Sequence, residues 1–337
     1  MTDQRRSVVL RRRPTGEPGA DDFAVVEEPL PAPGHGEVLT RTIWLSIDPY
    51  MRGRLWDRAS YAKPVQIGEV MTGESIGEVV ASAAPGFSPG DVVVGSRGWQ
   101  SHSLTPGKAL VKLDRHGAKL STYLGVLGMP GVTAYSAMTD IGQPKAGETV
   151  VVSAASGAVG SVAGQLAKRA GARVVGVAGG PDKCLWVQET LGFDDCVDHR
   201  TMDLAAALRD ACPNGIDVYF ENVGGAVQAA AFALLNNFSR VAMVGMVAQY
   251  NDAQPPPGPN LGFVVGKRVR VAGMIVSDKP ERFAEWRSLA TPWVADGSLK
   301  YRETIVDGLE NAPEALAELL RGGNFGKMLV RVGAEAA

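Results

Sequence analysis

Apolar positions along the chain keep two different rhythms. In residues 1–125 short strand-like runs, such as Ser7–Leu10, alternate with Gly/Pro-rich segments, PLPAPGHGE, AAPGFSPGD and TPGKAL. Such spacing predicts a compact, mostly β domain. A bridge at 126–145 follows, and from 149 to 275 strand-like runs alternate with helical periodicity. Thr149–Ser153 has the length and β-branched content of a fully buried strand. Val159, Val162, Ala163, Leu166 and Ala170 then recur at helical spacing as far as Gly171, a residue suited to ending a helix in the left-handed conformation. Arg173–Val177 reads as a second strand. Strand, small-residue turn, helix and strand within about thirty residues make a parallel βαβ unit.

Further strands are predicted at Cys196–Asp198, Asp217–Glu221, Arg240–Val244 and Val269–Ile275, with helices around 181–191, 203–211, 225–236 and 281–296. Pro181 near the start of the first of these helices and Gly192 beyond its end sit at preferred positions. Six parallel strands with intervening helices predict an α/β class and a doubly wound (Rossmann) sheet. Residues 303–337 return to strand-like runs and are expected to rejoin the first domain. PPPGP at 255–259 reads as a rigid loop, and no internal repeat is evident.

The turn Ala154-Ala155-Ser156-Gly157-Ala158-Val159-Gly160 occupies the place of a GxGxxG fingerprint, with Ala155 at the first glycine. A small-residue turn of this kind lets backbone approach a pyrophosphate, and the following helix N-terminus supplies N–H groups and positive dipole. The selective position lies some twenty residues on, where an NAD site carries an acidic residue for the ribose 2′-hydroxyl. This chain has Gly179 and Gly180 there, then Lys183. Glycines leave room for a 2′-phosphate and a lysine supplies opposite charge, so the expected cofactor is NADPH. The competing reading of Lys183 is a solvated helix residue.

The chain of 337 residues is long enough for two domains with full cores. A net charge of −2 gives no reason to expect nucleic acid as partner. RRSVVLRRR at 5–13 lacks the apolar core of a signal peptide, and no run approaches a membrane span. A soluble, cytoplasmic protein is expected. The three cysteines, Cys184, Cys196 and Cys212, match neither a disulfide framework nor a zinc site.

GEVLTRTIWLSIDPYMRGRL at 36–55, GMPGVTAYSAM at 128–138, AASGAVGSVAGQLAK at 154–168, YFENVGG at 219–225 and YNDAQPPPGP at 250–259 together resemble the zinc-independent medium-chain dehydrogenase/reductases. Within them the likeness is to the leukotriene/prostaglandin reductase group, with plant double-bond reductases and bacterial curcumin reductases. The resemblance implies a GroES-like catalytic domain, 1–127 with 303–337, and an NADP-binding domain, 128–302. It also implies NADPH-dependent reduction of the C=C bond of α,β-unsaturated aldehydes and ketones by a homodimer. The segment Thr72-Gly73-Glu74-Ser75-Ile76-Gly77 has glycine where zinc members carry a ligand histidine, no cysteine precedes Cys184, and His35, His102 and His116 show no ligand spacing. No metal site is expected, and those histidines read as surface or loop residues. Without a Lewis acid, the oxyanion that develops during reduction falls to hydrogen-bond donors.

Tyr250, which follows the strand at 240–244, should lie at the carboxyl edge of the sheet, where ligands bind in such folds. A phenol is protonated near neutrality and can donate a proton; the alternative is an aromatic shield, with water as proton source. The resemblance places Tyr50 and Arg52 of DPYMR at the substrate, Tyr50 as a second catalytic candidate. Arg52 reads, in preference, as a brace holding the loop through Asp48 or another carboxylate. For the cofactor the resemblance implies Gly157, Ala158, Val159, Gly160, Gly179, Lys183 and Asn222, then Val244, Gly245, Met246 and Tyr250. Met274, Ile275, Val276 and Asn324 complete that set, with Thr133 either near the nicotinamide or capping a helix. His199 stands where a tyrosine is common in the group, and with Arg200 it adds charge if the two point inward. A quinone oxidoreductase and a non-catalytic NADPH-binding protein are the alternative functions.

Overall fold

The run Thr149–Ser153 is buried at every position, as a strand with helices on both faces must be. In the computed structural model, which describes residues 4–114, 117–201, 203–254 and 256–335, it lies inside a parallel sheet. Among the described residues that sheet has six strands, in the order Asp195–Asp198, Arg173–Ala178, Thr149–Ser153, Ile216–Glu221, Leu235–Met243 and Arg270–Gly273. The order reverses between Thr149–Ser153 and Ile216–Glu221, which is the point where doubly wound sheets bind ligands. His116, and Pro255 of the proline-rich loop, lie outside the described residues.

Helices Gly160–Arg169, Pro181–Glu189, Leu204–Ala211 and Gly225–Ala233 connect the first five of these strands in turn, and Glu281–Ala295 follows the last. Gly171 and Gly192 take left-handed φ values of 80° and 72° just beyond two of them, where a side chain would be strained. The fifth strand begins five residues earlier than its apolar run, because Leu235 pairs with Ile216 across a register shift. The alanine at 155 is tolerated because the facing residue is Gly176: a Cβ there would lie 2.9 Å from that of Ala155. Gly164 is equally constrained, since a Cβ would fall 1.8 Å from Cζ of the buried Phe193 ring.

The chain divides into two compact units, Gly125–Arg302 and a second formed by everything up to Leu124 together with the segment from Glu303 onward. In the second unit the long strand Glu37–Ser46 pairs with Glu74–Ser82, His102–Pro106 and Lys327–Arg331. Glu303–Asp307 runs parallel to Lys327–Arg331. This is a β-rich GroES-like domain closed by the chain's last strands. One expectation is corrected here: the returning segment is not all strand. Ala312–Leu320 is a helix, with Pro313 in its first turn. Its Ala312, Ala315 and Leu316, at helical spacing, pack into a core with Val8, Leu45, Ile47 and Met51. Among the described residues no helix is long and apolar enough to cross a membrane.

Gly164→Ala is expected to destabilise the protein by about 1–3 kcal/mol, the usual cost of overfilling a packed core. Denaturant titration would show a lower midpoint at unchanged slope; an unshifted midpoint would mean that Phe193 yields freely.

Candidate active site

The Gly125–Arg302 unit places most of the expected cofactor residues along one sheet edge. Gly157, Ala158 and Val159 are half-buried between Ser153 and the helix that opens at Gly160. The turn is shaped by backbone: the Gly157 N–H donates to Ala154 O at 2.9 Å, and Ala154 itself is left-handed at φ 49°. A Cβ on Gly160 would lie 2.3 Å from Ala154 O, so that position accepts glycine alone without rearrangement. Helix amides with no intrahelical acceptor face outward here, together with the positive end of the helix dipole.

At the end of the neighbouring strand a cationic cluster surrounds Gly179. A Cβ there would lie 2.7 Å from His199 Nε2 and 3.3 Å from Arg200 Nε, and one on Gly180 would lie 3.5 Å from Arg200 Nη1. Both side chains therefore lean over the glycines. Lys183, on the helix Pro181–Glu189, joins them: partial burial and the Arg200 charge lower its pKa. His199 is held below the ordinary histidine range by burial and then by Arg200, which leaves it neutral near pH 7. Asp198 lies beside the cluster, and its charge interacts with His199 and Arg200. Its Oδ1 accepts the N–H groups of Gly180 at 2.9 Å and Arg200 at 3.0 Å, fixing both turns. Three basic side chains around a bare backbone suit a phosphate monoester.

Asn222 follows the strand Ile216–Glu221 and spends one amide hydrogen on Ser153 O at 2.7 Å, while its own N–H donates to Ser153 Oγ. Beside it Glu221, fully buried, accepts from Ser153 Oγ at 3.0 Å, Val223 N–H at 2.7 Å and Gly224 N–H at 3.0 Å. Sequence reasoning missed Ser153 and Glu221; the available signal was a carboxylate ending an apolar strand. Val244 and Gly245 donate to Glu221 O, and Met274, Ile275 and Val276 follow the sixth strand, half-buried.

Tyr250 ends the short turn Val247–Gln249 beyond the strand Leu235–Met243. Its hydroxyl folds back onto the loop, accepting the Met246 N–H at 3.3 Å. That bond uses an oxygen lone pair of the phenol. Thr133 is not a helix cap: it sits inside the helix Met129–Ala137, whose N-cap is Gly128, and its hydroxyl donates to Met129 O at 2.8 Å.

In the other unit Tyr50 opens the short helix Tyr50–Arg54. Burial, then Asp48 and Glu74, hold its phenol above the usual pKa, so it stays a donor. Arg52 is fully buried and donates to Gly16 O at 2.7 Å, with its guanidinium 4.1 Å over the Trp56 ring. One bond of the brace thus runs to a carbonyl, and Asp48 is held by Lys327. Asn324 binds Gly326 O at 2.7 Å within its own loop.

Residues 6–113 match a family model described as the N-terminal domain of oxidoreductase, and 158–295 one described as zinc-binding dehydrogenase. The NADPH-dependent curcumin reductase of Escherichia coli (strain K12) is 49% identical over 97% of this chain and 96% of its own length. A 2-alkenal reductase (NADP(+)-dependent) of Nicotiana tabacum is 39% identical over 98% of both. The crystal structure of CurA from Vibrio vulnificus in complex with NADPH superposes with a TM-score of 0.94, at 46% identity, covering 98% of this chain and all of that one. The chain belongs to the zinc-independent medium-chain dehydrogenase/reductases.

The zinc in the second model's description finds no fit here. Among the described residues no three His, Cys, Asp or Glu side chains come together as a metal site. Gly73 cannot become a ligand cheaply, since even a Cβ would meet Trp99 Cδ1 at 3.0 Å and Leu45 Cδ1 at 3.1 Å. His35 is exposed in a turn, but His102 departs from expectation: it is half-buried on a strand, 3.2 Å from the Ser101 hydroxyl. Cys184, Cys196 and Cys212 are all free thiols.

Lys183→Ala is expected to weaken NADPH binding about tenfold or more, the scale of one charged hydrogen bond, and to leave NADH nearly unchanged. Calorimetric titration with both nucleotides decides this, and equal losses would remove Lys183 from the phosphate site.

Proposed function

We propose that this protein is an NADPH-dependent reductase of the activated C=C bond of α,β-unsaturated aldehydes and ketones, acting as a cytoplasmic homodimer. The observation that carries the cofactor assignment is the cluster of Lys183, His199 and Arg200 around Gly179. The charges of Lys183 and Arg200, a neutral His199 beside them and the missing acidic residue favour a 2′-phosphate over a bare ribose. The reaction is supported by likeness over nearly the whole chain to reductases named for curcumin and 2-alkenals.

The bound cofactor supplies the hydride, which adds to the β-carbon of the enone. Charge then develops on the carbonyl oxygen, and this chain answers it with neutral donors. Tyr50 is kept un-ionised by its surroundings and is assigned the hydrogen bond to that oxygen. Tyr250, which follows the turn Val247–Gln249 beyond the fifth strand, is assigned proton delivery. The small-residue turn 157–160 and the Asn222 turn hold the nucleotide, and Arg52 braces the Tyr50 loop rather than touching the oxygen.

With a panel of enals, enones and quinones, NADPH consumption should yield a saturated product, identified by mass. Consumption with quinones alone would replace this reading by quinone reduction. Tyr250→Phe should lower turnover by about tenfold or more, at the modest end of general-acid effects because water can substitute, with NADPH affinity intact. Unchanged turnover across several enones would assign the proton to solvent.

The dimer is supported by the sheet-edge strand Arg270–Gly273, where Val271 is 40% exposed, and by Val265 nearby at 80%. An unpaired edge with apolar side chains favours addition of a second strand. Light scattering should give twice the 35.5 kDa chain mass; a monomer at micromolar concentration would refute it.

A further inference from the structure

Lys327 is 3% exposed, and a lysine is seldom buried this deeply without a partner. All of its hydrogens are engaged: Nζ donates to Ile47 O at 2.6 Å, Asp48 Oδ1 at 2.9 Å and Met328 O at 2.9 Å. Asp48, itself buried, takes the Ser46 hydroxyl on its other oxygen. Its carbonyl accepts the Met51 N–H at 3.1 Å, the first turn of the helix that begins at Tyr50. The strand Lys327–Arg331 also meets this turn directly, through the Ile47 N–H to Met328 O at 3.2 Å.

We propose that Lys327 is a positioning residue of the substrate site: its buried ammonium fixes Asp48, and through Asp48 the turn that presents Tyr50. The proposal rests on the reading of Tyr50 given above. A buried ion pair adds little to stability over an apolar pair of the same volume. Its effect here is directional. Three acceptors around one nitrogen set where Asp48 lies, and a methionine in the same space would fill the volume without setting it. Asp48 also stands close enough to the Tyr50 phenol to oppose its ionisation, together with Glu74, so the same carboxylate places the donor and keeps it protonated.

The test compares Lys327→Met, Lys327→Met/Asp48→Asn and Lys327→Met/Tyr50→Phe with wild type and Tyr50→Phe. The measurements are enone kinetics, NADPH titration and amide hydrogen exchange over residues 47–55. Lys327→Met should lower kcat/KM for the enone at least tenfold, speed exchange at Met51 and Arg52, and leave NADPH affinity within twofold. In the Tyr50→Phe background it should add little further loss. The variant lacking both charges should recover thermal stability without recovering kcat/KM, and it carries the test if Lys327→Met alone does not fold. Additive losses with Tyr50→Phe, unaltered exchange, or full recovery in the doubly neutral variant would each overturn the proposal. If the wild-type protein reduces no enone, the functional reading falls, and the exchange data alone decide whether Lys327 fixes the turn.

Discussion

Where the parallel sheet reverses its strand order, two neighbouring chains leave in opposite directions and their last amides lose ladder partners. The Glu221 carboxylate meets that constraint. One of its oxygens receives Ser153 Oγ and the N–H groups of Val223 and Gly224, all within 3.0 Å. Ser153 in turn accepts the Asn222 N–H and, through its carbonyl, the Asn222 side chain. A buried carboxylate survives in such a place only when hydrogen bonds replace its hydration. Because these bonds join two strands with about seventy residues between them, the opening of the crevice has one shape before any ligand arrives.

The two units differ in their local electrostatics. The nucleotide side gathers basic side chains around bare backbone at Gly179 and Gly180, with Asp198 accepting the amides of Gly180 and Arg200. The GroES-like unit does the opposite around Tyr50, where carboxylates and burial keep a phenol neutral. A polyanionic cofactor suits the first environment, and the second keeps a neutral hydrogen-bond donor.

Local rules made much of this readable in the sequence. The strand, small-residue turn and helix at 149–171 are consecutive, so periodicity and a single glycine stop located them. The place of Gly179 and Lys183, after the second strand and on the next helix, was legible because that strand's end lies at a set distance from the turn. Side-chain direction was not. Thr133 read equally as a cap or a ligand contact, and only the start of its helix at Met129 separates the two. Asp48 was a reasonable partner for Arg52, being four residues away, yet the fold gives it Lys327 from the far end of the chain. The helix Ala312–Leu320 was hidden because it is short and half of its core-facing stripe is alanine, with Pro313 in its first turn. The Asp48 miss involves a partner remote in sequence, which no window of periodicity can see.

The return of the chain after Glu303 makes one unit continuous and the other discontinuous. Asp48 waits 279 residues for its ammonium partner. During synthesis the nucleotide unit is complete once Arg302 has emerged, whereas the catalytic unit still lacks two strands of its sheet. A translation product ending near residue 300 would therefore retain the strands and glycine turn of a nucleotide-binding fold while leaving Asp48 as an unneutralised charge in an unfinished core. Such a fragment is a hazard to quality control rather than a half-active enzyme.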